Sequence, residues 1–197
     1  MNRAYLLLGS NIEPEANLPR ALALLAGAGR VVAVSAVYRT AAVGRTDQAD
    51  FLNAAVLLET ALGAGELKKR AIAGVEAALG RVRDPLNKNA PRTIDVDVAI
   101  WEAGAGGAGP GRTGGGGVGS GAGAAGPANE AGWPPDPDIV SRAHVAVPLA
   151  DLAPDWVHPV DGRPLALIAA ELIAAELAAG RVPPAKLPAP PPGWSAP

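Results

Sequence analysis

A chain of 197 residues with 17 Lys and Arg against 19 Asp and Glu carries a formal net charge of −2 at pH 7, which leaves no basic surplus to hold nucleic acid. It has no cysteine, so a disulfide scaffold and a thiolate metal site are both excluded. The apolar run at residues 4–8 is cut by Gly9-Ser10-Asn11, and the one at 164–179 contains Glu171 and Glu176; neither reaches the length of a leader or a membrane span, and a one-domain, soluble, cytoplasmic globular protein is expected.

Residues 3–8 read as a short apolar strand ending at the Gly-Ser-Asn turn. Leu18, Leu22 and Leu25 recur at helical spacing, and Gly27 to Gly29 stop that helix. Residues 31–40, rich in Val and Tyr, predict a strand, and residues 41–50 a polar loop with Gly44, Thr46, Asp47 and Asp50. Another strand is expected over residues 51–60. Residues 66–79 predict a helix, with Glu66 and Arg70 at i,i+4 and Leu67, Ala71, Val75 and Leu79 on one stripe. A loop holding Pro85 and Pro91 leads to a strand over residues 92–101.

Residues 103–132 are almost entirely Gly, Ala and a few polar residues. Such a stretch offers no side chains to bury, so a flexible insert is expected. Ile168, Leu172 and Ile173 lie on a last helix closed by Gly180. The domain is thus expected over residues 1–182, interrupted by the insert at 103–132. The proline-rich residues 183–197 form a tail that should be extended or disordered. Hairpin neighbours mixed with crossover helices imply an α+β class, best met by a split βαβ, ferredoxin-like sheet with helices packed on it.

The segment richest in chemistry is Arg81-Val82-Arg83, a polar loop, and then Pro91-Arg92-Thr93-Ile94-Asp95-Val96-Asp97-Val98. Along a strand, residues i and i+2 share a face, so Asp95 and Asp97 stand together while Val96 and Val98 turn to the core. Adjacent carboxylates repel unless a cation or solvent screens them. An isolated Asp-x-Asp suits the solvated face of an edge strand. Three neighbouring arginines change that balance, because guanidinium forks bind phosphate oxygens and hard carboxylate oxygens suit Mg²⁺. The combination points to phosphoryl-type transfer by positioning and electrostatics.

Five ordered motifs extend this picture: Leu8-Gly9-Ser10-Asn11, Tyr38-Arg39-Thr40, the run from Asp47 through Phe51-Leu52-Asn53, Leu79-Gly80-Arg81-Val82-Arg83, and Pro91-Arg92-Thr93-Ile94-Asp95-Val96-Asp97. Together they resemble the 6-hydroxymethyl-7,8-dihydropterin pyrophosphokinase family, and Pro148-Leu149 followed by Ala153-Pro154 is similar as well. The resemblance covers about residues 3–180 apart from the insert. It implies a ferredoxin-like fold, with ATP and 6-hydroxymethyl-7,8-dihydropterin as substrates in folate biosynthesis. Asp95 and Asp97 match carboxylates that hold two Mg²⁺ ions. Arg83 and Arg92 match arginines acting on the phosphates and in catalysis, and Val98, Asp136 and Arg142 fall at nucleotide-side positions. Glu76 matches a nucleotide-side glutamate, although its helical place equally suits the surface. Thr40, Ala41, Val43, Phe51, Asn53 and His144 match the pterin site. An amide such as Asn53 offers the donor and acceptor that an aminopyrimidinone edge requires, whereas Phe51 could equally be a core residue.

The chain also departs from the family pattern. Asn89-Ala90 stands where an aromatic-Gly pair is usual, Asp136 where histidine is usual, and His144 where phenylalanine is usual. Two other readings remain open at this point: a relative that binds pterin or nucleotide without turnover, and a ferredoxin-like regulatory domain indifferent to Mg²⁺.

Overall fold

The computed structural model describes residues 1–42, 48–82, 90–104 and 133–196. The described residues form one six-stranded sheet from β1 (Asn2–Ser10), β2 (Arg30–Val34), β3 (Tyr38–Thr40), β4 (Phe51–Thr60), β5 (Asp95–Glu102) and β6 (Ala185–Lys186). The order is β5-β1-β4-β3-β6, with β2 also on β4, and the pairings are antiparallel. The helices are α1 (Pro14–Leu25), α2 (Ala64–Glu66), a π-helical turn (Leu67–Ile72) that continues α2 into α3 (Ala73–Ala78), α4 (Ala143–Leu152) and α5 (Leu165–Ala178). This is the expected α+β, ferredoxin-like class.

The two-residue period of the strands divides the sheet between two cores. Ala4, Leu6 and Leu8 of β1 share one with Leu18, Leu22 and Leu25 of α1 and with Leu67, Ile72 and Val75. Tyr5 faces the other, with Ala55, Leu57 and Ile100 from the sheet and Val145, Leu149, Leu165 and Ile168 from α4 and α5. Helices therefore cover both faces, which is why the middle of β4 reads as a continuous apolar run without alternation. Each fully buried Leu of this kind contributes about 1.5–3 kcal/mol relative to exposure.

Several elements differ from their sequence expectation. The strand expected over 31–40 is two strands. Val34 pairs with Val56 and Tyr38 with Asn53, so the connecting residues are one too many for a ladder. Ser35 repairs the break: its hydroxyl accepts the Ala55 N–H at 2.8 Å, and the Ala36 N–H donates to the Asp151 carboxylate at 3.0 Å. β5 begins at Asp95, because Arg92 and Thr93 are drawn to the β1 turn instead. The Asn11 and Ile12 N–H groups donate to the Arg92 carbonyl at 3.1 and 3.2 Å, and the Ser10 hydroxyl to the Thr93 carbonyl at 2.6 Å. Helix α4 was not expected at all, whereas α5 ends as predicted at Gly180, whose φ of 69° suits glycine. Residues 105–132, most of the glycine-rich stretch, lie outside the described residues.

The proline-rich tail is extended but attached. β6 pairs with β3, the Leu187 N–H donates to the Val37 carbonyl at 2.9 Å, and Trp194 is buried in the first core. The Trp194 indole N–H reaches the Ser35 carbonyl at 2.9 Å, using the polar group exposed by the strand break. Removing a buried Trp side chain costs about 3–5 kcal/mol, and at this chain length each kcal/mol moves Tm by about 2–4 °C. Trp194→Ala is therefore expected to lower Tm by at least about 6 °C in a calorimetric scan. A variant that melts with the wild type would show the tail to be detached in solution.

Candidate active site

Helix α4 covers only part of its face of the sheet, and a cavity of about 350 Å³ opens where it stops. Its floor is Leu7 and Gly9 of β1, Phe51 and Asn53 of β4, and Asp95 and Asp97 of β5. The register explains this grouping: Gly9 lies opposite both Asn53 and Asp95, and Leu7 opposite Asp97. Side chains from three strands thus converge on one patch. A Cβ on Gly9 would come 3.1 Å from the Asn53 side-chain oxygen, so glycine there leaves that amide its place. One wall carries Thr40, Ala41 and Gln48; the other carries Asp136, Arg142 and His144.

The two aspartates sit in different electrostatic settings. Asp95 is held by two guanidiniums, Arg81 at 2.8 Å and Arg92. Arg81 lies beneath the site, donating also to the Ile94 carbonyl at 3.0 Å and standing 3.4 Å from the Glu76 carboxylate. Glu76 is buried, and it accepts the Val96 main-chain N–H at 3.3 Å. The surface alternative for this residue falls; it braces β5 from outside the cavity. Asp97 faces the cleft and lies 3.8 Å from the Lys68 ammonium. Burial first, and then the charge of Asp95, pushes the Asp97 carboxyl above the usual carboxylate range, with Lys68 opposing. Two hard carboxylates on one strand face, with Asp97 short of counter-charge, fit a divalent cation that takes its remaining ligands from water and substrate oxygens. Among the described residues no three His, Asp or Glu side chains gather closely enough to hold an ion by themselves.

The opposite end of the cavity is neutral. Thr40 and Phe51 are paired across β3 and β4, and the Asn53 amide donates to the Thr40 hydroxyl at 2.8 Å. This hydrogen bond turns the Asn53 carbonyl oxygen toward Gly9. Phe51 is half-buried at the cavity edge and absent from both cores, so the packing alternative for it is not met. Asn11, the last residue of the Leu8-Gly9-Ser10-Asn11 motif, connects the two ends. Its carbonyl oxygen accepts the Arg92 N–H at 2.8 Å, while its NH₂ donates to the Ala49 carbonyl at 3.3 Å and to Gln48 at 3.4 Å.

Asp136, Arg142 and His144 arrive from the segment after the glycine-rich stretch. The Asp136 N–H donates to the Ala99 carbonyl at 2.9 Å, which lays this segment along the outer edge of β5. Its carboxylate caps the following turn by accepting the Asp138 N–H at 2.8 Å. Burial raises its pKa against the lowering effect of that hydrogen bond. His144 stands in the first turn of α4, and burial together with the Arg142 charge pushes its pKa below 6.5.

Among the expected site residues, Thr40, Ala41, Phe51, Asn53, Arg92, Asp95, Asp97, Asp136, Arg142 and His144 line this one cavity. Val43 and Arg83 lie outside the described residues. Val98 does not line the cavity: the residue is 6% exposed and belongs to the first core, as strand alternation predicts, turned away from Asp97. Any nucleotide contact at Val98 falls to its main chain. Leu7, Gly9, Gln48 and Asp138 also line the cavity without having been singled out individually.

Residues 5–154 match the family model described as 7,8-dihydro-6-hydroxymethylpterin-pyrophosphokinase (HPPK). The chain is 40% identical over 166 residues to the 2-amino-4-hydroxy-6-hydroxymethyldihydropteridine pyrophosphokinase of Methylorubrum extorquens, covering 80% of this chain and 86% of that protein. It is 33% identical over 173 residues to the protein of the same name from Pseudomonas aeruginosa, covering 86% and 91%. Among solved structures, the Plasmodium falciparum HPPK-DHPS crystal structure superposes with a TM-score of 0.58 at 12% identity, a likeness of fold. That match covers 93% of this chain and 46% of the Plasmodium chain.

Proposed function

The chain belongs to the 7,8-dihydro-6-hydroxymethylpterin-pyrophosphokinase family, and from that membership we propose that it transfers the β,γ-diphosphate of ATP to 6-hydroxymethyl-7,8-dihydropterin in folate biosynthesis. The observation that carries the reading is the polarity of the cavity. Its neutral end holds Phe51, Asn53 and Thr40, and its charged end Asp95, Asp97, Arg92 and Arg142. A pterin is a flat heterocycle with an amide-like edge, and ATP brings a polyanion; one end suits each.

Phe51 offers a face for the pterin bicycle, and Asn53 reads its edge, with Thr40, Ala41 and Val43 lining the ring. The hydroxymethyl oxygen then points along the floor toward Asp95 and Asp97. Arg83, Arg92 and Arg142 hold the triphosphate, and Asp136 stands beside it. Val98 meets the nucleotide through its main chain. The neighbouring main chain is open on the outer edge of β5, where the Ala99 carbonyl accepts the Asp136 N–H at 2.9 Å.

In the reaction the pterin oxygen forms a bond to the β-phosphorus, the bond from that phosphorus to the α,β-bridging oxygen breaks, and AMP departs with the bond electrons. The hydroxymethyl proton is released, and no enzyme nucleophile is needed. Asp95 and Asp97 would hold Mg²⁺, two ions in this reading, which supplies neutralisation of the phosphate oxygens. The side chains do the positioning: reactants held in line convert a bimolecular encounter into a local one. Among the described residues no helix is long and apolar enough to cross a membrane, and we read the protein as cytoplasmic, without nucleic-acid or membrane partners.

Mass spectrometry of the purified protein with ATP, Mg²⁺ and the pterin alcohol tests the reading. AMP and the pterin diphosphate ester should appear in equal amounts. ADP in place of AMP, or neither product, would overturn it.

His144 gives this chain a pH response. Its low pKa means that the ring is neutral in the folded protein near pH 7 and charges as pH falls below about 6.5. A pterin laid over it deepens the burial that disfavours the charged form, so affinity should fall on acidification. His144→Phe is expected to flatten the wild-type decline, which sets in on the acid side of the ordinary histidine pKa of about 6.5. Pterin titrations followed by fluorescence decide it; identical profiles would remove His144 from the pterin site.

A further inference from the structure

Asp95 and Asp97 share a strand face, yet their counter-charges are of different kinds. Asp95 has fixed ones: the Arg81 side chain is only 9% exposed and Arg92 lies across the same carboxylate. Asp97 faces a lysine, and a looser one. The Lys68 ammonium is 3.8 Å from Asp97 Oδ1, beyond hydrogen-bond length, and both side chains are about half exposed. Lys68 rises from the π-helical turn at Leu67–Ile72, whose first and last side chains are buried and fix its register. Turns of this kind insert an extra residue into a helix and often present it to a site. The same ammonium sits 5.8 Å from the centre of the Trp133 ring, within cation–π range. Trp133 opens the segment that runs along the outer edge of β5 to Asp136. Lys68 is therefore flanked by a carboxylate on one side and an aromatic face on the other.

We propose that Lys68 is a movable phosphate-binding cation of this cleft, which balances Asp97 in the nucleotide-free protein and pairs with a polyphosphate oxygen once a divalent cation engages that carboxylate. A lysine suits the role better than an arginine: it is a compact charge on a flexible stem, able to exchange one anion for another without a matched fork geometry. The Trp133 ring keeps the ammonium near the cleft in both positions. The inference rests on the nucleotide reading of the cleft, and its test separates the two.

Two bindings are measured, neither requiring turnover. One is Mn²⁺ binding to the nucleotide-free protein by electron paramagnetic resonance. The other is calorimetric affinity for the Mg²⁺ complex of α,β-methylene ATP, whose bridge replaces the bond that must break. Lys68→Met removes a cation competing with the metal, so Mn²⁺ should bind about threefold tighter. The same variant should bind the nucleotide complex about tenfold more weakly, roughly 1.4 kcal/mol, with Lys68→Arg recovering part of the loss. Wild-type binding of the analogue that Lys68→Met leaves unchanged would reduce Lys68 to a surface counter-ion while the nucleotide reading stands. A wild type that fails to bind the analogue would bring down both. Lys68 is exposed and in neither core, so the substitution leaves the fold intact, which a thermal melt of each variant verifies.

Discussion

Asp97→Asn is expected to lower turnover by about a thousandfold while leaving the protein as stable as the wild type at neutral pH, or more so. The first half follows from charge. A divalent cation that loses one of two carboxylates loses several kcal/mol of phosphate neutralisation, and each 1.36 kcal/mol is tenfold in rate. The second half follows from the raised Asp97 pKa. A carboxyl whose folded pKa lies above its unfolded value stabilises the fold where it is protonated, at pH below about 3.8. That contribution is lost as pH rises through the folded pKa, so the ionised Asp97 is a burden at neutrality. Its causes are burial and Asp95, and the amide relieves both. Asp95→Asn should differ. It breaks contacts with Arg81 and Arg92, so both Tm and turnover are expected to fall. Melting curves and AMP production for the two variants check the asymmetry. Undiminished turnover in Asp97→Asn would return the pair to a solvated strand face, and a clear loss of stability there would contradict the electrostatic account.

This asymmetry was only half legible in the sequence. Period-two alternation put Asp95 and Asp97 together and sent Val96 and Val98 inward, and the structure agrees. Alternation says nothing of what comes from elsewhere to meet each carboxylate. Lys68 approaches Asp97 from a helix on the other face of the sheet, around an edge that no local pattern marks. Helix α4 escaped for a related reason. Val145 to Ala150 is a continuous apolar run with two valines and Pro148, which favours a strand on propensity, yet it is helical because both its sides are packed. The 31–40 strand was read correctly for composition, but its break depends on Ser35, Asp151 and Trp194, which are distant in sequence. Helix α1 and β4 were legible because their signals are local: leucines on one stripe, and an uninterrupted apolar run between polar ends.

Arg81 is the sharpest case, for it read as one of three arginines beside the phosphates and lies instead beneath the site. Its side chain is 9% exposed, set between Glu76 at 7% and Asp95 at 19%. One guanidinium therefore compensates two carboxylates, and through Glu76 and the Val96 N–H it fixes the start of β5. Arg81→Met keeps much of the volume but takes the guanidinium away from the buried Glu76 and from Asp95. Removing one partner of a buried ion pair typically costs about 3–5 kcal/mol. For a chain of this size that is a fall in Tm of at least about 6 °C. Turnover should drop as well when measured far below the new Tm, since Asp95 would then be oriented by Arg92 alone of the two guanidiniums. The double variant Arg81→Met with Glu76→Gln separates the effects. Taking away the Glu76 charge along with its guanidinium neighbour should restore much of the stability without restoring turnover, because the brace on Asp95 is still missing. If Arg81→Met melts with the wild type, the ion pair at Glu76 contributes nothing. If the double variant recovers turnover along with Tm, Arg81 acts on the fold and not on the position of Asp95.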